Sequence, residues 1–289
     1  MLVGDDNSED DTWRIIEAYE KRFEFIEGVQ IEEEKEGLIA KGNVLHQLTT
    51  RAKHEFQLII DADMQVSPEW LQAMIEGLEQ NDLISGYTQI AQVGPHHGVQ
   101  FFDWQVVLHS MKAMANNFRP ISILGNNMGF RKKAYDQVGG FLALGPTDVE
   151  DLGLLRLFQQ KGLKTAQLVY DQGAAYTLPQ PNWKEMITQR CRWMNGVFTH
   201  HWILAMPAFF ARLWLLVGFL MLWIQPYLSI IILTYGLLVN QVKFYQINRA
   251  TRTKTKLKLY EPVFISLLDT FALLRIIILG KVEWKGRKF

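Results

Sequence analysis

The sequence predicts an α/β domain, with a mainly parallel sheet and helices on both faces, followed by transmembrane helices. Strand-like and helix-like segments alternate through the first part of the chain, a rhythm that favours a parallel sheet. The apolar run Phe56–Ile60 has the length of a buried strand and stops at Asp61. Residues 205–240 carry a single charge. We therefore expect a soluble domain over residues 1–200 and a membrane region over residues 201–289.

Local patterns predict the individual elements of the soluble part. Ser67, as a cap, and Pro68, at a first helical position, predict the start of a helix. Apolar residues at helical or strand spacing predict the others. These are a strand end at Met1–Gly4, a helix at Thr12–Lys21, a short strand at Val29–Glu33, a helix at Lys41–Ala52 and a strand region at Leu83–Val93.

Composition excludes some partners and compartments. The formal net charge is zero, so we expect no nucleic acid bound by bulk positive charge. The single cysteine, Cys191, can form no intrachain disulfide, which fits a reducing compartment. Residues 4–11 are acidic where a secretory signal would be basic and then apolar, so we expect no such signal.

Two acidic motifs follow predicted strands. Asp5-Asp6 and Asp61-Ala62-Asp63 both lie where ligands of parallel sheets bind, beyond the carboxyl ends of strands. Mg²⁺ or Mn²⁺ shares one or two carboxylates with substrate phosphates, so the second motif predicts a site for a metal and a diphosphate. A carboxylate of the first motif could accept a hydrogen bond from a uracil ring. For each motif the alternative is a turn that caps the next helix.

Three further segments carry candidate functional groups. Lys41, at a helix start, can bind a diphosphate with help from the helix N-terminus, or can be a solvated lysine. Glu150-Asp151 opens a helix, where a carboxylate either stabilises the helix dipole or serves as a general base at a cleft rim. The Gly- and Asn-rich segment Gly125–Arg131 can bring backbone close to a sugar.

The rarest motif is Gln189-Arg190-Cys191-Arg192-Trp193. Gln189, Arg192 and Trp193 share one face of a helix. An arginine pairs with phosphate and a tryptophan offers a stacking surface. The alternative is an interfacial helix, because basic and aromatic residues often anchor the chain just before a membrane segment.

In these motifs and their order, the chain resembles the inverting family 2 glycosyltransferases, which have the GT-A fold. The resemblance covers residues 2 to about 200, and the residues near 283–287 are more loosely similar to the tails of ceramide-glucosyltransferase-like, carotenoid and hopanoid glycosyltransferases. That family opens with a strand and a Pro-x-x-Asn-Glu-like turn, whereas only Leu2-Val3-Gly4 precedes Asp5 here. We therefore expect a GT-A fold that lacks its first strand. The matching motifs are Asp5-Asp6, Lys41–Asn43, Asp61-Ala62-Asp63, Gly125–Met128, Glu150-Asp151 and Gln189-x-x-Arg192-Trp193.

The resemblance implies a reaction and a role for each residue. A sugar would move from a nucleotide-sugar, for which we expect a UDP-sugar, to a hydroxyl of a lipid or glycan acceptor. A lipid is favoured because the acceptor helix leads into the membrane region. The alternatives are a processive polysaccharide synthase and an inactive fragment or scaffold. The implied roles are base binding by Asp5 or Asp6, donor binding by Lys41 and Asp61, binding of Mg²⁺ or Mn²⁺ by Asp63, general base catalysis by Asp151, and an acceptor and diphosphate side formed by Glu150, Gln189, Arg192 and Trp193.

The membrane region predicts a topology. Residues 207–242 form either two short spans, with a turn at Gln225-Pro226, or one long kinked span. Basic residues dominate 249–258, and basic loops stay in the cytoplasm, which favours the hairpin. Residues 262–280 contain Asp269 and Arg275, so we expect a re-entrant or interfacial helix there. The expected location is the cell (inner or plasma) membrane, with the catalytic domain in the cytoplasm.

Overall fold

The structure, a computed structural model, describes residues 1–31, 37–94, 96–147, 149–168, 173–194, 212–251, 258, 260–279, 283–284 and 287–288. The chain divides into two compact units. The first contains Met1–Thr88 and Met111–Ala175, and the second contains Gln89–Ser110 and Tyr176–Phe289. The boundary expected near residue 200 separates a cytoplasmic part from a membrane part, and it stays a prediction.

The secondary structure alternates as expected in the first unit and is helical through most of the second. The strands are β1 (Leu2–Asp5), β2 (Glu27–Gln30), β3 (Phe56–Ile60), β4 (Met64–Val66), β5 (Leu83–Ser85), β6 (Thr88–Ile90), β7 (Asn127–Arg131), β8 (Thr165–Gln167), β9 (Ala175–Thr177), β10 (Glu283–Trp284) and β11 (Arg287–Lys288). The helices are α1 (Thr12–Arg22), α2 (Ala40–Arg51), α3 (Trp70–Gln80), α4 (His97–Asn117), α5 (Lys132–Gln137), α6 (Glu150–Gln160), α7 (183–194), α8 (Trp214–Leu222), α9 (Pro226–Thr251) and α10 (Tyr260–Leu279).

The main sheet of the first unit is mixed, so the expectation of a mainly parallel sheet was wrong for this part of the chain. Its strand order is β3-β7-β5-β8, and β7 is antiparallel to both of its neighbours. β5 and β8 are parallel, as are β1 and β2 in a separate pair. The register places Asn127, at the start of β7, beside Ile60, at the end of β3. The loop before β7 therefore reaches the end of the sheet at which Asp61 follows β3.

Helices cover both faces of this sheet, as predicted. Successive strand residues point to opposite faces. Leu83 of β5 packs in a core cluster with residues of α2 and α6, whereas the next residue, Ile84, packs against α3 on the other face. Phe130 and Phe158 are fully buried in the first of these clusters. This burial fixes the strand ends from which the candidate site residues project.

Several local predictions are confirmed and others need correction. The helices expected at Thr12–Lys21 and Lys41–Ala52 are α1 and α2, shifted by at most one residue at each end. The strand expected at Val29–Glu33 begins earlier, and residues 32–36 lie outside the described residues. The helix expected to start after Ser67 begins at Trp70, and residues 67–70 form a turn closed by a hydrogen bond from the Trp70 amide to the Ser67 carbonyl (3.1 Å). The Ser67 hydroxyl has no partner among the described residues, so it does not cap the helix.

The strand region expected at Leu83–Val93 divides into β5 and β6. Gly86 lies between them, and a Cβ there would lie 2.3 Å from the Asn127 side chain. The Gly86 amide also donates a hydrogen bond to the Asn127 carbonyl (2.8 Å). Only glycine therefore allows this close approach of backbone to Asn127.

In the second unit, α8 and α9 form a helical hairpin whose turn lies at residues 223–225. That the two helices are membrane spans stays a prediction. Pro226 opens α9, where its missing amide hydrogen breaks no helical hydrogen bond. Gly218 and Gly236 let the helices pack closely, since a Cβ at either would lie 2.4 Å from Leu233 or Trp214. Residues 195–211, which include the predicted beginning of the first span, lie outside the described residues.

One helix among the described residues, Pro226–Arg249, is long and apolar enough to cross a membrane by length and composition. Its second half extends beyond residue 242, where the predicted hairpin ended. Helix α10 is continuous over 20 residues, and its relation to a membrane stays a prediction. Residues 252–257, which belong to the basic segment 249–258, lie outside the described residues. So do residues 285–286, which belong to the segment 283–287 that resembles the tails of related enzymes.

Candidate active site

Lys41 connects three separate segments of the first unit. Its Nζ lies 2.6 Å from Oδ1 of Asp61, which directly follows β3. The same Nζ lies 3.2 Å from the carbonyl oxygen of Gly125 and 3.7 Å from Oε1 of Glu150. Lys41 is the second residue of α2 and so lies in the first turn of this helix. The structure thus brings together Lys41, Asp61 and Glu150, which sequence reasoning had assigned to one site.

Asp151 is held against the loop before β7. Its Oδ2 accepts a hydrogen bond from the Gly125 amide (2.9 Å), and its Oδ1 accepts one from the Leu152 amide (2.7 Å). A Cβ added to Gly125 would lie 2.9 Å from Oδ2 of Asp151. A larger residue would have to displace the carboxylate or the loop, so the predicted Gly-rich segment has a defined contact.

Glu150 is the more deeply buried of the two neighbouring carboxyl groups. Burial, and secondly the charge of Asp151, raise the pKa of Glu150, while the Lys41 ammonium opposes this change. Glu150 therefore holds its proton more tightly than an ordinary glutamic acid does. Asp151, beside it, accepts two backbone hydrogen bonds.

The remaining acidic candidates of the first unit occupy strand ends. Asp5 ends β1 and is buried, and its Oδ1 has no hydrogen-bond partner among the described residues. Asp6 is exposed. Asp63 is exposed in the turn after β3, a turn closed by a hydrogen bond from the Met64 amide to the Asp61 carbonyl (3.1 Å).

A metal site made by the protein alone is absent from the described part of the chain, where no three His, Cys, Asp or Glu residues form a suitable group. Asp61 Oδ1 is already paired with Lys41, whereas the Asp63 side chain is open to solvent. Mg²⁺ and Mn²⁺ are commonly held by one or two carboxylates together with substrate phosphates. A single exposed carboxylate fits that arrangement, so Asp63 can supply such a ligand.

Gln189, Arg192 and Trp193 lie on α7, in the second unit. Gln189 and Trp193 line the same narrow crevice, as expected of residues on one helix face. The third residue predicted for that face, Arg192, does not line it, whereas Arg190 does. The crevice has a volume of about 20 Å³, room for about one water molecule. The Trp193 ring lies 5.1 Å from the ring of Trp104, a wall residue that the sequence did not indicate. Arg192 is half-buried.

A buried group of four charges lies beside this crevice, and sequence reasoning missed it. Asp103 of α4 accepts hydrogen bonds from Arg190 and Arg212. Asp269 of α10 lies 3.2 Å from Nε of Arg190 and 2.7 Å from Nε of Arg212. Burial works to raise the pKa of Asp103, but the two arginines outweigh it and lower that pKa. We call these residues the charge quartet.

A signal for the charge quartet was present in the sequence. Arg212 is the single charge of a long apolar stretch, and Asp269 lies in an apolar helix. Isolated charges in apolar segments are expected to be paired. The sequence could not show which charges pair with each other. Arg190 and Arg212, for example, lie 87 and 109 residues after Asp103 in the chain.

The fold of the chain is GT-A-like. The mannosyltransferase PcManGT from Pyrobaculum calidifontis, solved with GDP-Man and Mn²⁺, is similar with a TM-score of 0.51 and 14% identity, over 96% of this chain and 77% of that chain. Glucosyl-3-phosphoglycerate synthase from Mycobacterium tuberculosis, solved with Mn²⁺, UDP and glucosyl-3-phosphoglycerate, is similar with a TM-score of 0.40 and 17% identity, over 64% of this chain. The chain spans 62% of the length of that synthase.

The sequence model of glycosyl transferase family 21 matches residues 1–289, and the chain belongs to this family. The motifs had indicated family 2, so the class of enzyme fold was anticipated and the family number was not. The looser similarity to ceramide-glucosyltransferase-like enzymes agrees with the family that matches. A search of curated proteins found no match.

Proposed function

We propose that this protein is a membrane-associated, metal-dependent, inverting glycosyltransferase. It transfers one sugar from a nucleotide-sugar, with a UDP-sugar as the proposed donor, to a hydroxyl group of a lipid. Membership of glycosyl transferase family 21 supports the class of reaction. The observation that carries the proposal is the convergence of Lys41, Asp61, Glu150 and Asp151 beyond the carboxyl end of β3.

Donor binding would use the first unit. Lys41, near the N-terminus of α2, offers a positive charge to a diphosphate, and Asp61 orients the Lys41 ammonium through their 2.6 Å contact. The buried Oδ1 of Asp5 has no partner among the described residues, and a buried acceptor left unpaired is costly. A base N–H of the donor would satisfy it. Asp6 stands next to it on the exposed side.

Sugar transfer would use Asp151 as the general base. The Gly125 amide fixes one carboxylate oxygen, which limits the rotation of the group that takes the acceptor proton. The acceptor oxygen then attacks the anomeric carbon from the face opposite the nucleotide, so the configuration is inverted. A divalent cation bound at Asp63 would stabilise the charge of the leaving diphosphate. Glu150 stands beside Asp151, and its pKa is raised chiefly by burial and secondly by the Asp151 charge.

The second unit supports a lipid acceptor and a membrane location. Helix α9 is long and apolar enough to cross a membrane, and α8 and α9 expose many large apolar side chains. Trp193 and Trp104 give the crevice an aromatic wall, while Gln189 adds a polar group. Arg192, on the same helix, would meet the acceptor and diphosphate side. We propose the cell (inner or plasma) membrane as the location, with the catalytic part in the cytoplasm.

Product analysis tests this function. Membranes containing the protein are incubated with Mn²⁺, labelled UDP-glucose or GDP-mannose, and a lipid extract, and the lipid and polymer fractions are then separated. The proposal predicts one sugar per lipid molecule. A long polymer would instead support a processive polysaccharide synthase, and the absence of any product with every donor would support a non-enzymatic scaffold.

A further inference from the structure

The charge quartet is unusual because all of its members are shielded from water. The Asp103 and Asp269 side chains are 6% and 1% exposed, and those of Arg190 and Arg212 are 8% and 24% exposed. Taking charges out of water costs free energy that pairing offsets only in part. Apolar residues of the same size often stabilise a core as well as a buried ion pair does. The charge quartet is therefore a candidate for a role other than stability.

What it provides is a defined orientation of one side chain. Arg190 binds Asp103 through Nη2 and approaches Asp269 through Nε. Two carboxylates on different helices, α4 and α10, thus fix the plane of one guanidinium group. Arginine suits such a site because its planar fork presents donors in fixed directions. A lysine ammonium is a point charge and would not define a plane.

Arg190 passes this orientation on to Trp193. Its guanidinium carbon lies 5.3 Å from the centroid of the Trp193 ring, within the range of a cation–π contact. The two residues are three positions apart on α7, so they are neighbours on the helix surface. The Trp193 ring also packs on Trp104. Trp193 therefore contacts both a fixed guanidinium group and a second indole.

We infer that Arg190 is a positioning residue, which uses Asp103 and Asp269 as fixed points and sets the Trp193 ring in the wall of the acceptor crevice. The inference rests on the proposed function, in which the lipid acceptor binds at that crevice. Arg190 differs in this from Arg192 of the same motif, for which the phosphate-binding role was proposed. Arg190 is 8% exposed and already faces two carboxylates, which makes it a poorer phosphate ligand than the half-buried Arg192.

Arg190→Lys tests the inference in the full chain, in membranes or detergent. The change keeps the charge and removes the planar fork. We expect the KM for the lipid acceptor to rise about tenfold, as small displacements in an active site commonly cause, with donor affinity unchanged. Arg14→Gln is the control, because Arg14 is an exposed arginine in the first unit. Equal losses for donor and acceptor, or no loss, would overturn the inference.

A spectroscopic measurement tests the same inference without any turnover. The difference in near-UV circular dichroism between the parent and Trp193→Phe isolates the signal of the Trp104–Trp193 pair. We expect Arg190→Lys to lose this signal, and its retention would count against a positioning role. If the parent transfers no sugar at all, the proposed function fails, while this spectrum still decides whether Arg190 positions Trp193.

A paired neutralisation separates positioning from stability. Arg190→Gln combined with Asp103→Asn removes one charge of each sign and leaves the Arg212–Asp269 pair. We expect the double variant to unfold at a temperature close to that of the parent, yet to keep the raised acceptor KM and to lack the tryptophan signal. If the double variant instead has the parent's acceptor KM and tryptophan signal, Arg190 serves only to balance the charge of Asp103. Failure of both variants to fold would assign it to stability and would also overturn the inference.

Discussion

The amide of Gly125 donates a 2.9 Å hydrogen bond to Oδ2 of Asp151. This contact joins the loop before β7 to the first turn of α6. The carbonyl of the same glycine accepts a hydrogen bond from Lys41 (3.2 Å). Gly125 therefore links the proposed general base, Asp151, to the proposed diphosphate-binding residue, Lys41. A substitution at Gly125 should disturb the positions of both side chains.

Gly125→Ala should displace Asp151. The added Cβ would lie 2.9 Å from Oδ2 and 3.1 Å from Cβ of that residue, so one of the two segments must move. We expect kcat to fall about tenfold or more, since displacement of a catalytic group by about 1 Å is costly. Gly42→Ala is the matched control, because a Cβ there meets no atom within 4 Å. A Gly125→Ala enzyme as active as this control would show that Asp151 does not depend on Gly125.

Asp63→Ala should weaken nucleotide-sugar binding in Mn²⁺ and remove the metal dependence of that binding. The diphosphate and the cation bind as one unit, because each supplies ligands or charge to the other. Titration calorimetry with the donor, in Mn²⁺ and in chelator, measures both effects. If the variant and the parent respond equally to chelator, Asp63 is not the metal ligand.

Glu150→Gln should change the pH dependence of stability. Burial, followed by the Asp151 charge, raises the pKa of Glu150 above its ordinary value of 4.5 in the folded state. The folded state then binds the proton more tightly than the unfolded state, so this group's contribution falls as pH rises from that value through the raised pKa. Thermal unfolding at several pH values should therefore show Glu150→Gln gaining on the parent as pH rises. A constant difference, or a gain towards low pH, would contradict this sign.

The hairpin predicts the topology of the membrane region. If α8 and α9 cross and return, the basic residues after α9 lie on the cytoplasmic side. Cysteine labelling at Thr253, which lies outside the described residues, reports this in a Cys191→Ser background. Serine keeps a donor for the Ala272 carbonyl that the buried Cys191 thiol contacts. Labelling from outside the cell would replace the hairpin with a single long span.

The local sequence pattern was enough to predict some of the strands and helices that carry the candidate site residues. Strand β3 was identified from five apolar or strand-compatible residues and their stop at Asp61, and the structure has the same bounds. The prediction succeeded because a buried strand is a property of adjacent residues. The helix face shared by Gln189 and Trp193 followed from the helical repeat in the same way.

Pairings between distant segments could not be predicted in this way. Strand β7 pairs in the antiparallel direction with β3, which lies about 70 residues earlier in the chain. The loop before β7 carries Gly125, whose amide binds Asp151. The alternation of strands and helices suggested a parallel sheet, and nothing local to Asn127–Arg131 indicates the opposite direction. Arg190 was overlooked for the same reason, because its partners lie on α4 and α10.

The rate of Asp151→Asn tests the central claim most directly. Sugar transfer to lipid and donor binding are measured side by side on the parent and the variant in Mn²⁺. A general base acts in the transition state, so turnover should fall about 10²- to 10⁴-fold while donor affinity stays close to that of the parent. A variant that loses donor affinity as much as turnover, or that still transfers sugar at the parent's rate, would contradict the account.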